Sequence, residues 1–139
     1  MKDNELRIMR NKALYDTYKK GLEEGRFASM RDAGRYVCRQ PAPRFYISSD
    51  VASDIIGKII RRESLINFNS CYRRRAWRLY DDYCRFLQEH PDCKLSRGRI
   101  MEIIVEQPAP EFYIEPQHTR KILQKENKKI RAKWEERYG

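Results

Sequence analysis

The chain writes nearly the same segment twice. Gln40-Pro41-Ala42-Pro43-Arg44-Phe45-Tyr46-Ile47 returns as Gln107-Pro108-Ala109-Pro110-Glu111-Phe112-Tyr113-Ile114, with seven of eight residues identical, and Leu14-Tyr15-Asp16-x-Tyr18 returns as Leu79-Tyr80-Asp81-x-Tyr83. A self-match at a near-constant offset marks one structural unit used twice, so the sequence divides into copies at 1–69 and 70–139. A unit of roughly 66 residues buries only about 60% of the surface its unfolded chain exposes, which predicts that the two copies pack on each other.

Each copy reads as three helices. From Leu6 to about Gly25, Leu14, Tyr18 and Leu22 recur four residues apart, extended by Met9 and Ala13, with charges filling the opposite face. This is the pattern of an amphipathic helix. The second copy repeats it with Leu79, Tyr83 and Leu87 beside Ala76 and Trp77, and the helices end near Gly25 and near His90-Pro91. A short middle helix follows, from Ser29 to about Arg39 and again from Ser96 to about Glu106, each opened by a serine suited to the N-cap. Pro41 and Pro43, like Pro108 and Pro110, lack amide donors and force the residues before them out of the helical region. The Pro-Ala-Pro segments therefore read as extended crossovers. The Phe-Tyr-Ile residues after them have room for a brief strand, and their aromatics suit core plugs better than a base-stacking platform.

The third helix begins after Ser48 in the first copy and at Pro116, a favoured first helical residue, in the second. Val51, Ala52, Ile55, Ile56, Ile59 and Ile60 give the first a wide apolar face. The second turns basic through Lys125, Lys128, Lys129, Arg131 and Lys133, and is expected to run on as a terminal helix of about 20 residues. Leu65 to Ser70 joins the copies and is too apolar for a loose tether. The expected fold is all-α: two tandem three-helix repeats packed together, each with a short Pro-Ala-Pro crossover.

The charge balance points to a class of partner. Lys and Arg number 30 against 20 Asp and Glu, and the excess is +5 in each copy, so it is not confined to a tail. Such a field favours polyanions, nucleic acid first, although Lys-rich helix faces also arise from solvation alone. No stretch is apolar enough for a membrane span, and Met1-Lys2-Asp3-Asn4-Glu5 has no leader-like apolar core, so a cytoplasmic protein is expected. Its cysteines, Cys38, Cys71, Cys84 and Cys93, are then reduced and best read as small packed thiols. Cys84, His90 and Cys93 fall short of a closed zinc set, so no metal or cofactor is expected. Two histidines, no Gly-rich phosphate loop and no nucleophile or zinc-protease motif leave little for catalysis, and a non-enzymatic role is expected.

Ten cations form the candidate nucleic-acid contacts. Arg31, Arg35 and Arg39 are spaced as one stripe of the middle helix, with Arg44 across the loop; Lys58, Arg61 and Arg62 end the third helix; Arg73, Arg74 and Arg75 open the second copy. Arginine suits phosphate because its planar fork donates two hydrogen bonds at once. At matched positions Arg35, Arg39 and Arg44 become Glu102, Glu106 and Glu111. This reversal has two readings: one copy has specialised to touch phosphate, or Arg and Glu pair across copies or protomers.

The three-helix unit with its capped third helix resembles a helix-turn-helix module, which implies a last helix offered to the DNA major groove and the preceding one braced against the backbone. Here about eight residues separate Arg39 from Ser49, where such modules use a short turn. The Pro-Ala-Pro-Arg-Phe-Tyr segment resembles one in small bacterial and phage proteins, and this likeness implies no particular activity. The expected function is binding of nucleic acid, DNA before RNA, by a regulatory or accessory protein of a bacterium, phage or mobile element. The alternative is an adaptor or assembly component, with a protein partner or a homo-oligomer joined through the Arg and Glu faces.

Overall fold

The computed structural model describes residues 3–139, and these form an all-helical protein: α1 (Asp3–Glu23), α2 (Met30–Val37), α3 (Ser49–Ile60), α4 (Ser70–Glu89), α5 (Arg97–Val105) and α6 (Pro116–Tyr138). Four helix starts follow directly from side-chain capping. The Ser29 hydroxyl accepts from the Asp32 amide, Ser48 from Val51, Asn69 from Tyr72 and Ser96 from Arg99. Each bond satisfies a first-turn donor that has no partner inside its own helix. Pro116 opens α6, where its missing amide costs nothing.

The crossovers decide the packing. The segments 41–48 and 108–115 pass across one another, and at their crossing Ala42 and Ala109 make an isolated antiparallel bridge with reciprocal amide-to-carbonyl bonds of 2.9 and 3.0 Å. The same reciprocity continues outward. The Phe45 amide donates to Val105 and the Phe112 amide to Cys38; Phe45 stacks on Tyr113 and Tyr46 on Phe112, all at repeat-matched positions. Beyond the crossing, each third helix lands on the other copy: α6 packs on α1 and α2, while α3 packs on α4 and α5. One buried core unites the copies, with Leu14, Val37, Phe45, Ile55, Ile56, Leu79, Ile100, Met101, Phe112 and Leu123 in a single cluster.

Three expectations are revised. A third helix braced by the middle helix of its own copy is not formed, because α2 and α3 make no packing contact. An extended linker advances about 3.3 Å per residue, so the crossover carries the chain past its own copy instead of turning it back. The brief Phe-Tyr-Ile strand is also absent among the described residues; the pairing is the single bridge at Ala42 and Ala109, three residues earlier in sequence. The apolar stripes of α1 and α4 are only partly used. Leu14 and Leu79 are fully buried, but Leu22 is 50% and Leu87 40% exposed, and Met9 and Trp77 face outward. A four-residue spacing advances about 40° per step, so the third member of each stripe has rotated off the buried face, where Gly21 replaces Leu22.

The thiols fare as read in part: Cys38 and Cys71 are buried, Cys84 and Cys93 half-buried. Burial is the first cause that pushes the Cys38 and Cys71 thiols up from their ordinary range. No described helix is long and apolar enough to cross a membrane.

Candidate nucleic-acid interface

Helix α6 lies between α1 and α2 and has a cationic cleft on each side. The larger, about 810 Å³, is the groove between α1 and α6. Arg7, Arg10 and Lys12 line it from α1, and His118, Lys121, Lys125 and Lys129 from α6, against two acids, Asp16 and Glu126. Lys121, Lys125 and Lys129 recur every four residues and so stand in one row about 6 Å apart along the helix. Lys129 meets Glu126 at 3.3 Å; among the described residues, Arg7, Arg10, Lys12, Lys121 and Lys125 have no carboxylate within salt-bridge distance. The walls are pinned by Tyr15, whose hydroxyl donates to Asn127 Oδ1 at 2.7 Å.

The electrostatics of the groove follow from burial first and from crowding of like charge second. Arg10 is held below the ordinary guanidinium range by burial, then by Arg7 and Arg75. His118 is lowered by partial burial, then by Arg10 and Lys121. The charged form of both groups is therefore stabilised by an incoming anion, which compensates for lost solvation and offsets the repulsion from neighbouring cations.

The second cleft, about 430 Å³, lies between α2 and the start of α6, where Arg31 and Arg35 meet Arg120, with Glu115 as the single acid in the lining. The Arg120 Nε is buried and has no hydrogen-bond partner. Arg31, Arg35 and Arg39 are exposed and, among the described residues, make no ion pair.

The structure separates the other sequence candidates from these clefts. Arg44 donates from Nε to the Phe45 carbonyl at 3.0 Å. Lys58 lies 5.0 Å from the centre of the Phe68 ring, and Arg61 pairs with Glu63 at 2.7 Å. Arg62 adopts a left-handed φ of 61° at the end of α3. Arg73 donates to the Phe68 carbonyl at 2.7 Å, tying the inter-copy link to α4. Arg74 makes a two-pronged pair with Glu111 at 2.8 and 3.1 Å, which raises its pKa, and also binds Ser70. Arg75 is mostly buried over the Tyr72 ring, with its Nε unpartnered. The Arg73 to Arg75 run is thus engaged in holding α4, and of the ten candidates Arg31 and Arg35 line one of the two clefts beside α6.

Arg35 and Arg39 do not pair with Glu102 or Glu106; Glu102 meets Arg99 at 3.1 Å, and the copies are joined by apolar packing, by backbone bonds and by the neutral-partner side-chain bonds Tyr15 to Asn127 and Arg97 to Ser53, with no ion pair between them among the described residues. The α1–α6 row escaped sequence reasoning. Its spacing is visible in Lys121, Lys125 and Lys129, but that α1 would form the other wall depends on the exchange of third helices. Among the described residues no three His, Cys, Asp or Glu come together as metal ligands. His90 stacks on Phe86, with its Nδ1 3.0 Å from the Phe86 carbonyl oxygen.

No protein-family model matches the chain, and no curated protein or solved structure is significantly similar to it.

Proposed function

We propose that this protein binds nucleic acid, duplex DNA in the first instance, without catalysing a reaction, and that it serves as a small cytoplasmic regulatory or accessory factor of a bacterium, phage or mobile element. The observation that carries the reading is an asymmetry between matched positions. Across the copies Arg7 corresponds to Tyr72, Lys12 to Trp77, His118 to Val51 and Lys121 to Asp54. In the second cleft Arg31, Arg35 and Arg120 correspond to Gly98, Glu102 and Ser53. Arg10, Lys125 and Lys129 keep cationic counterparts in Arg75, Lys58 and Arg62, but Arg7, Lys12 and Lys121 are added around α6 where the same places around α3 hold no cation, an excess for which solvation alone gives no reason. A partner that needs positive charge along one helix does, and phosphate backbones are such a partner.

The test is a fluorescence-anisotropy titration of a labelled duplex of about 30 base pairs at about 50 and about 200 mM salt; six or so phosphate contacts imply a loss of roughly 10³ in affinity over that range. Replacing Lys121 and Lys125 with alanine should weaken binding and flatten the salt slope while leaving the helical circular-dichroism signal unchanged. Absence of binding at the lower salt would remove the proposal. It would favour the second reading, an assembly component, which draws support from the exposed and unpaired Arg35 and Arg39 and the oppositely charged Glu106 at matched places.

A further inference from the structure

Three guanidinium groups meet in the cleft between α2 and the start of α6. Gly34 lies in the turn between Arg31 and Arg35, and α6 closes on it until a β-carbon there would stand 3.2 Å from Arg120 Cβ. That approach brings Arg31, Arg35 and Arg120 to the lining of one space of about 430 Å³. Among the described residues none of the three makes an ion pair, Glu115 in the same lining included. Arg31 and Arg35, four residues apart on one helix, also repel each other, as like charges at that spacing do.

The second copy satisfies the same place from within. There Arg31, Arg35 and Arg120 are matched by Gly98, Glu102 and Ser53. Ser53 Oγ accepts from Arg97 Nε at 3.1 Å, and Glu102 accepts from Arg99 at 3.1 Å. In the first copy Arg120 Nε is buried and has no acceptor. A buried N–H without a partner is costly and rare, and calls for an acceptor supplied from outside the chain. The end of α6 adds donors to those of the guanidinium groups. The Glu115 side chain makes no cap bond there, so the first-turn amides of Gln117 and His118 are left without the acceptor that Ser48 gives the matching Val51.

We propose that this cleft binds a terminal phosphate monoester, held by Arg31, Arg35 and Arg120. Three cations and one carboxylate leave its lining at +2. A monoester, with about two negative charges at neutral pH, balances that; a carboxylate or a backbone diester carries only one. The monoester also presents three unesterified oxygens to three guanidinium forks, each able to donate paired hydrogen bonds, where a diester presents two. A space of about 430 Å³ is that of a small-ligand site, so it takes the phosphate with part of the group that carries it. That group is the 5′ end of a nucleic-acid strand or a free phosphorylated small molecule. The site lies across α6 from the α1 groove and does not rest on duplex binding there.

Isothermal titration calorimetry of the full chain with inorganic phosphate and with 5′-AMP, at constant ionic strength, tests the site. Both should bind with Kd near or below about 1 mM, and 3′,5′-cyclic AMP, the corresponding diester, should bind at least roughly tenfold more weakly through loss of a charge-assisted bond. Arg35→Glu places the second copy's residue at an exposed position and brings the lining to neutral, so it should abolish binding with the helical circular-dichroism signal intact. Arg120→Ser should do the same, and Arg35→Glu decides alone if Arg120→Ser does not fold. Absence of heat with phosphate and AMP up to about 10 mM would overturn the proposal, as would cyclic AMP binding as tightly as AMP, or Arg35→Glu binding as wild type does. The source of the phosphate is read by a single-stranded oligonucleotide with a 5′-phosphate or a 5′-hydroxyl. Tighter binding of the phosphorylated form than of either its hydroxyl form or AMP assigns the site to strand ends; equal binding of the two forms, with AMP bound, assigns it to a free phosphorylated small molecule. A duplex with 5′-hydroxyl ends reads the α1–α6 groove alone, so failure there and failure here are told apart.

Discussion

His118 is the residue at which the groove becomes testable by pH. Arg10 from α1 and Lys121 from α6 face it, and with partial burial they hold its pKa below the ordinary 6.5. A bound phosphate opposes both cations and raises that value, so binding takes up a proton. Affinity is then expected to increase as pH falls from about 8 through the bound-state pKa and to level off below the free-state one. The gain is up to roughly tenfold per unit by which the pKa rises. Anisotropy titrations of wild type and His118→Gln check this: the variant should show a flat profile over that interval, and an equal slope in both would assign the effect elsewhere. At this scale the sequence was a partial guide. It singled out arginines by density, yet Arg73 and Arg74 are occupied by the Phe68 carbonyl and by Glu111, partners that only the fold brings near. It passed over Arg10, Lys12 and His118, whose neighbours lie more than a hundred residues away in the chain.

Among the elements, the contact of α2 with α6 is the closest, and Gly34 makes it so. A β-carbon there would stand 2.6 Å from the Pro116 carbonyl oxygen and 3.2 Å from Arg120 Cβ, so the backbones themselves would have to part. Gly34→Ala should destabilise the protein by about 1–3 kcal/mol through overpacking. In contrast, Gly98→Ala in α5 meets only Ser96 Oγ at 4.0 Å and should stabilise by up to about 1 kcal/mol through helix propensity. Urea denaturation of the two variants reads both signs, and a neutral Gly34→Ala would show that α6 does not sit where the clefts require. The elements themselves were the most legible part of the sequence. Ser29, Ser48, Ser96 and Pro116 each start a helix where local chemistry says they should. The faces were less legible, because a four-residue spacing drifts around a helix and cannot say whether Leu22 or Gly21 meets the core. Asn69, as good a cap as serine, starts α4 as well, but its place in an apolar link hid it among the residues that join the copies.

For the molecule as a whole, the repeat announces two copies but not their exchange. Two proline-stiffened crossovers paired at Ala42 and Ala109 send each third helix to the opposite copy, and this alone creates a groove between α1 and α6. Once the copies are entwined, divergence at matched positions can charge one half and leave the other closer to neutral, as the replacement of Asp54 by Lys121 and of Val51 by His118 illustrates. The central claim is that nucleic acid lies along α6 on the side of α1. Lysine acetylation followed by mass spectrometry, with and without a saturating duplex of about 30 base pairs, reads that claim site by site. Protection of Lys12, Lys121, Lys125 and Lys129, with Lys58 and Lys94 modified equally in both states, is the result the account predicts. Protection spread evenly over both halves, or centred on Lys58 and Lys94, would contradict it.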